Sequence, residues 1–207
     1  MNKIVIIGIA GGTASGKTTL SHKLKEYLED DVIVLCHDFY YKSLTHLTKE
    51  EREQSNYDCP EAYETDLLIK DIKSLISGQT IQRPIYSYTE RLREKETVRV
   101  EPATCIIIEG LLVLENKELS ELMDIKVFVD TDADERLMRL IERDRKERGL
   151  NVEYIIDKYK STLKPMHDKY IEPCKEYADI IISGNSNNDI YLNDIIKKVQ
   201  EIKCNIN

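Results

Sequence analysis

The stretch Lys3–Leu20, KIVIIGIAGGTASGKTTL, decides the fold. Its first part, Lys3–Ile9, is an apolar run rich in isoleucine and reads as a strand. Its last part opens a helical pattern, Lys17–Glu29. Between them Gly11–Thr18, GGTASGKT, matches G-x-x-x-x-G-K-[S/T] at every position. Glycines let consecutive backbone N–H groups face one anion, and the start of the following helix adds partial positive charge. The candidate phosphate-binding residues are therefore Gly11, Gly12, Thr13, Ala14, Ser15, Gly16, Lys17, Thr18 and Thr19. Lys17 is placed to reach the β and γ phosphates, and the Thr18 hydroxyl to ligate Mg²⁺. A dinucleotide loop needs G-x-G-x-x-G, and Gly8, Gly11, Gly12 and Gly16 never form G-x-G.

The same alternation continues outward. Val32–Cys36, Cys105–Glu109, Ile125–Asp130 and Ala178–Ser183 are short runs rich in isoleucine and valine. Asp132–Gly149 and Asp189–Lys203 are helical patterns. Runs that stay apolar throughout are strands buried on both faces, so the expected class is α/β, a parallel sheet sandwiched by helices. Two stretches break the pattern. Asp38–Pro60 is polar and tyrosine-rich, with a short helix around Thr48–Gln54. Thr80–Pro102 reads as a β-hairpin with a charged turn, RLREKE, at 91–96. Insertions of this size at strand ends carry specificity, so both are expected over the active site.

At 207 residues the chain is one domain. A charged fraction of 33% suits a soluble globular protein, and no apolar run approaches the roughly 18 residues of a membrane span. The net charge of −8 argues against nucleic acid as a partner. Cys36, Cys59, Cys105, Cys174 and Cys204 are scattered and form no C-x-x-C, which points to a reducing compartment and free thiols.

A phosphate loop specifies a nucleotide and leaves the reaction open. A GTPase switch would need N-K-x-D and D-x-x-G. Asn116-Lys117-Glu118-Leu119 lacks the aspartate, and no aspartate has glycine three residues on. ATP hydrolysis driving a conformational change, or phosphoryl transfer to a small acceptor, remain, and transfer is favoured. Ligands of parallel sheets sit at the carboxyl ends of the strands. Two acids lie there: Asp38, the candidate base, and Glu109, the candidate for the Mg²⁺ site. The helix Asp132–Gly149 holds six basic and six acidic residues, with i,i+4 pairs Asp132/Arg136, Glu135/Arg139, Glu142/Lys146 and Asp144/Arg148. Most of it reads as a salt-bridged surface helix. Its end, from Arg143 to Gly149, could swing over the phosphates as a lid. Six of the twelve tyrosines fall between Tyr40 and Tyr88, which suits an acceptor with a flat base and hydroxyls.

Taken together, GIAGGTASGKTT, His37–Lys42, Asn56–Pro60, Arg83–Tyr88, Glu96-Thr-Val, Ile108–Gly110, Phe128–Ala133, Glu147–Gly149 and Tyr177–Ile180 resemble the uridine kinase (uridine–cytidine kinase) family of nucleoside kinases, in the family's order and over nearly the whole chain. The resemblance implies ATP-dependent phosphorylation of the 5′-hydroxyl of uridine or cytidine, with Mg²⁺, by a cytoplasmic homotetramer of pyrimidine salvage. It implies one domain over 1–207, with acceptor-binding insertions at 38–102 and a lid at about 143–160. Carried over, Asp38 matches the catalytic base, with Lys17 beside it; Thr18, Glu109 and Asp38 form the magnesium site. Tyr41, Asp58 and Tyr86 match the nucleoside pocket, and Arg143 and Arg148 the lid arginines. Arg91 stands where the family has a base-reading histidine. Cys59, Leu140, Leu150 and Lys158 also depart from the family pattern. The expectation is retained kinase chemistry with weakened or moved pyrimidine specificity. The alternatives are a kinase of another nucleoside, polyol or sugar phosphate, and a nucleotide-binding regulatory protein without turnover.

Overall fold

A computed structural model of the chain describes residues 3–28, 31–185 and 189–204. In chain order the elements are β1 (Val5–Gly11), α1 (Lys17–Leu28), β2 (Val32–Cys36), α2 (Lys49–Gln54), α3 (Thr65–Ile76), β3 (Ile81–Ser87), β4 (Leu92–Val100), β5 (Cys105–Glu109), α4 (Lys117–Glu121), β6 (Ile125–Asp130), α5 (Ala133–Arg148), α6 (Val152–Lys158), α7 (Lys164–Met166), β7 (Ile180–Ser183) and α8 (Asp189–Cys204). Five strands form one parallel sheet in the order β2-β5-β1-β6-β7. The expected α/β sandwich is what the chain adopts.

Alternate side chains of the strands feed two cores. Val5, Ile7, Ile9, Ile107, Val127 and Val129 face α1 and α8, packing on Leu20, Leu24, Leu192, Ile195 and Val199. Ile6, Ala10, Leu35, Ile106, Ile108 and Phe128 face the other way, onto Leu68, Ile72 and Leu75 of α3 and onto Leu111–Leu114. Full burial of each such side chain stabilises by about 1.5–3 kcal/mol, which is why the apolar runs cannot sit at the surface. A third, small cluster joins Leu140 of α5 to Ile155 and Tyr159, with Ala14 of the phosphate loop against it. That cluster is what seats the α5–α6 arm beside the loop.

Four sequence readings need correction. First, β1 runs to Gly11 rather than Ile9, because Ala10 and Gly11 still pair with Phe128 and Val129. The expected end of α1 at Glu29 lies outside the described residues. Second, the hairpin turn is Tyr88–Arg91, not 91–96: Leu92 and Arg93 already pair with Ser87 and Tyr86. β4 is mostly exposed, so charged residues suit it as well as a turn, and Arg91 takes the left-handed φ of +50° that the tight turn requires. Third, α3 adds a helix between the two insertions; Leu68, Ile69, Ile72 and Leu75 recur at helical spacing and are all buried. Fourth, of the expected i,i+4 pairs, Glu135–Arg139 (2.9 Å) and Asp144–Arg148 (3.5 Å) form. Asp132 instead accepts from the Asn185 amide, and buried Arg136 donates its Nε–H to Thr131 O.

Beyond α6 the helix loosens into π-type turns on either side of α7. Pro165 lacks the N–H that a regular α-turn uses there.

Candidate active site

The sheet register brings the acids and the phosphate loop together. β5 lies between β2 and β1, so Glu109, its last residue, is level with Cys36 on one side and Ile9 on the other. Asp38 stands two residues past Cys36, and the loop begins two residues past Ile9. All three meet at the carboxyl edge of the sheet.

The loop geometry follows from its sequence. Gly11 has φ +148°, and a Cβ there would lie 2.6 Å from Val129 O, so a side chain is excluded twice over. Gly11 and Gly12 are buried behind the cleft, while Thr13 through Thr19 line it. Lys17 Nζ donates to Gly12 O at 2.8 Å, which folds the ammonium over the loop. Burial lowers its pKa, and the charges of Glu109 and Asp38 oppose that. The buried Ser15 hydroxyl has no hydrogen-bond partner among the described residues. The first turn of α1 likewise leaves N–H groups without intrahelical acceptors. Donors converging without acceptors fit a bound polyphosphate.

Thr18 Oγ1 donates to Glu109 Oε1 at 3.3 Å. Asp38, half-buried beside them, has its carboxyl pushed up to about 6, by burial first and by the Glu109 charge second; Lys17, a hydrogen bond from Tyr88 and Arg148 act against the rise. One hydroxyl and two carboxylates are hard oxygen donors, too few for an all-protein cage. That is the donor set Mg²⁺ uses when nucleotide phosphates supply the remaining ligands, so Thr18, Glu109 and Asp38 fit the ion.

The two insertions close the other side. Tyr41 is buried, stacked on Tyr63 at 4.4 Å between centroids, and accepts a hydrogen bond from the Tyr63 hydroxyl at 2.9 Å. Tyr86 leans on Tyr41 at 5.0 Å. Asp58 is 7% exposed, and its carboxylate accepts no hydrogen bond from the described residues. Burial and the Asp38 charge raise its pKa to about 6. Arg91 sits on the hairpin turn over the Tyr57 ring at 5.7 Å and donates to Glu53 O at 3.2 Å.

Tyr88, missed in the sequence, donates its hydroxyl to Asp38 Oδ2 at 3.2 Å. Its signal was there: Tyr86 and Tyr88 are two apart on one strand-like stretch and so share a face. Arg143 and Arg148 line the cleft, and Arg148 lies 5.5 Å over the Tyr88 ring.

The departures from the family pattern separate by position. Leu140 and Leu150 line the cleft but belong to the apolar cluster that seats the arm. Lys158 lines it too, its pKa lowered to about 8 by burial and by Arg91. Cys59 is not among the lining residues; its thiol turns to Asn56 O at 3.7 Å.

The cleft holds about 1430 Å³. A pocket for one small molecule is roughly 300–1000 Å³, so there is space for two ligands side by side. The phosphate loop lines one part, and the tyrosines of the insertions another.

Residues 6–191 match the model of the phosphoribulokinase / uridine kinase family. The uridine kinase of Ligilactobacillus salivarius is 48% identical over 202 residues, covering 97% of this chain and 95% of that protein. The uridine kinase of Staphylococcus haemolyticus is 46% identical over 203 residues, covering 98% of both. The fold matches that of phosphoribulokinase from Rhodobacter spheroides, with a TM-score of 0.67 and 18% identity over 87% of this chain and 70% of that one. The chain belongs to the phosphoribulokinase / uridine kinase family.

Proposed function

We propose that this kinase transfers the γ-phosphoryl group of ATP to the 5′-hydroxyl of uridine and cytidine. The observation that carries the reading is the meeting of the phosphate loop, the Thr18–Glu109 pair and Asp38 in a cleft with room for both substrates. The full-length likeness to uridine kinases supports a pyrimidine nucleoside over the polyol or sugar-phosphate alternative.

In this reading the loop and Lys17 hold the ATP phosphates. Asp38 accepts the proton of the acceptor hydroxyl as its oxygen bonds to the γ-phosphorus. The bond from that phosphorus to the β–γ bridging oxygen breaks, and ADP leaves with that electron pair. A carboxyl held near 6 is ionised at neutral pH yet still basic enough to take the proton. Mg²⁺, held by Thr18, Glu109 and Asp38 with the phosphates, would neutralise charge on the transferring group. Arg143 and Arg148 close from the arm at about 143–160 and add positive charge. Tyr41, Tyr86 and Arg91, from the insertions at 38–102, surround the base, and Asp58 accepts from ribose hydroxyls. By family resemblance the reading extends to one domain over 1–207, working as a homotetramer in cytoplasmic pyrimidine salvage.

The test is coupled ADP release with Mg-ATP against uridine, cytidine, purine nucleosides, deoxynucleosides and phosphorylated sugars. Turnover with uridine or cytidine well above every other acceptor supports the reading. Silence with both pyrimidines refutes it.

A further inference from the structure

Asp144 is 7% exposed, yet it stands on the last turns of a helix whose neighbouring positions are mostly open to solvent. Its Oδ1 accepts from Arg143 Nε at 2.9 Å and lies 3.5 Å from Arg148 Nη1. Both arginine side chains are about one-third exposed, and all three residues line the cleft. An exposed pair at i,i+4 spacing holds neither partner firmly. Here one buried oxygen serves two arginines and fixes where both begin.

The backbone holds that oxygen in place. Gly149 takes the left-handed conformation, φ +66°, and ends α5. The N–H groups of Gly149 and Leu150 both turn back to Asp144 O, the latter at 3.1 Å. Helix termination therefore uses the carbonyl of Asp144 and leaves its carboxylate free. Each guanidinium keeps most of its five donors, since Arg143 commits Nε and Arg148 one Nη1. The remaining donors share the cleft with Thr13–Thr19. Arg148 also lies over the Tyr88 ring, whose hydroxyl is on Asp38, so a displaced Arg148 would disturb the side chain that touches the base.

We propose that Asp144 is a positioning residue for phosphoryl transfer, which sets Arg143 and Arg148 in the cleft before nucleotide binds. The proposal rests on the kinase reading above. A misplacement of about 1 Å in such a group costs on the order of a hundredfold in rate, so a sizeable kcat effect follows from a residue that touches neither substrate.

The experiment is a mutant cycle. Asp144→Asn is made in the wild type and in an Arg143→Gln/Arg148→Gln background, and kcat is measured with Mg-ATP and uridine. In the wild type, kcat falls roughly 30-fold while the KM for uridine stays within about threefold. In the double-arginine background the same change costs less than about threefold, because the groups it positions are gone. An equal loss in both backgrounds, or a wild-type kcat, overturns the proposal. Asp144→Ser takes its place if Asp144→Asn fails to fold. Calorimetric affinities for ATP and ADP read the same arginines without an acceptor. Asp144→Asn narrows the ATP-to-ADP preference several-fold and leaves ADP affinity near wild type, whereas an unchanged ratio counts against the proposal. A wild type inactive with uridine would sink the substrate reading alone, and the calorimetry would still decide on Asp144.

Discussion

Asp58→Asn is expected to make the ligand-free protein more stable at pH 8 while impairing nucleoside binding. The Asp58 carboxyl is displaced from 3.8 to about 6, by burial first and by the negative charge of Asp38 second; Lys158, Lys17 and Arg143 offset only part of this. A raised carboxyl pKa means that the folded chain holds the proton more tightly than the unfolded one. Stability therefore falls as pH rises from about 4 to about 6, and the full cost is present above that window. A displacement of about 2 units corresponds to about 3 kcal/mol. Asparagine removes the charge at nearly constant volume, so about 3 kcal/mol should return at pH 8, and almost none at pH 4. For a domain of this size that amounts to a rise in Tm of roughly 6–12 °C. The assay is thermal denaturation of both proteins, without nucleotide, at pH 8, 6 and 4.5. The same substitution should raise the KM for uridine at least about tenfold, because ribose hydroxyls lose a charged acceptor. A variant no more stable than wild type at pH 8, or equally stabilised at pH 8 and 4.5, would refute the assignment of Asp58 as a strained, buried carboxylate.

Further expectations follow from individual contacts. The hydrogen bond from Tyr88 holds the Asp38 pKa down, so Tyr88→Phe raises it; the acid limb of kcat/KM moves to higher pH, and activity near pH 6.5 drops roughly fivefold. Gly149→Ala forces an alanine to φ +66° and should cost about 1 kcal/mol, read as a Tm lower by roughly 2–4 °C. Lys17→Met should lower kcat by about 10²–10³ in the ADP-release assay, as loss of a donor aimed at developing charge does elsewhere. Removing Mg²⁺ with EDTA should abolish turnover, and restoring Mg²⁺ in excess should recover it.

The site was legible where chemistry is tied to local sequence. Gly11–Thr18 announces its own backbone, and Asp38 and Glu109 stand out because one follows an apolar run and the other ends one. Their meeting then follows from β5 lying between β1 and β2. Charge is a poor cue for the hairpin turn, because a strand mostly exposed on both faces, as β4 is, carries charge without turning. Leu68, Ile72 and Leu75 show the period of α3, but it falls between the two insertions, outside the alternation of apolar runs and helices that marks the sheet. The Asp144–Arg148 spacing was visible, but its sense was not. The pair looked like surface decoration until the arm folded, through Leu140 and Ile155, and buried Asp144 against the cleft. The bond from Arg143 to its own neighbour, and that from Tyr88 to Asp38 across 50 residues, depend on rotamers and tertiary placement that no spacing rule supplies.

The most direct measurement is the turnover of Asp38→Asn beside wild type, with Mg-ATP and uridine, together with the ATP affinity of both. The account expects kcat to fall by about 10²–10⁴, with ATP affinity within about threefold of wild type, because the base is lost and the phosphate loop is intact. An Asp38→Asn enzyme that keeps wild-type turnover would contradict the claim that Asp38 takes the acceptor's proton.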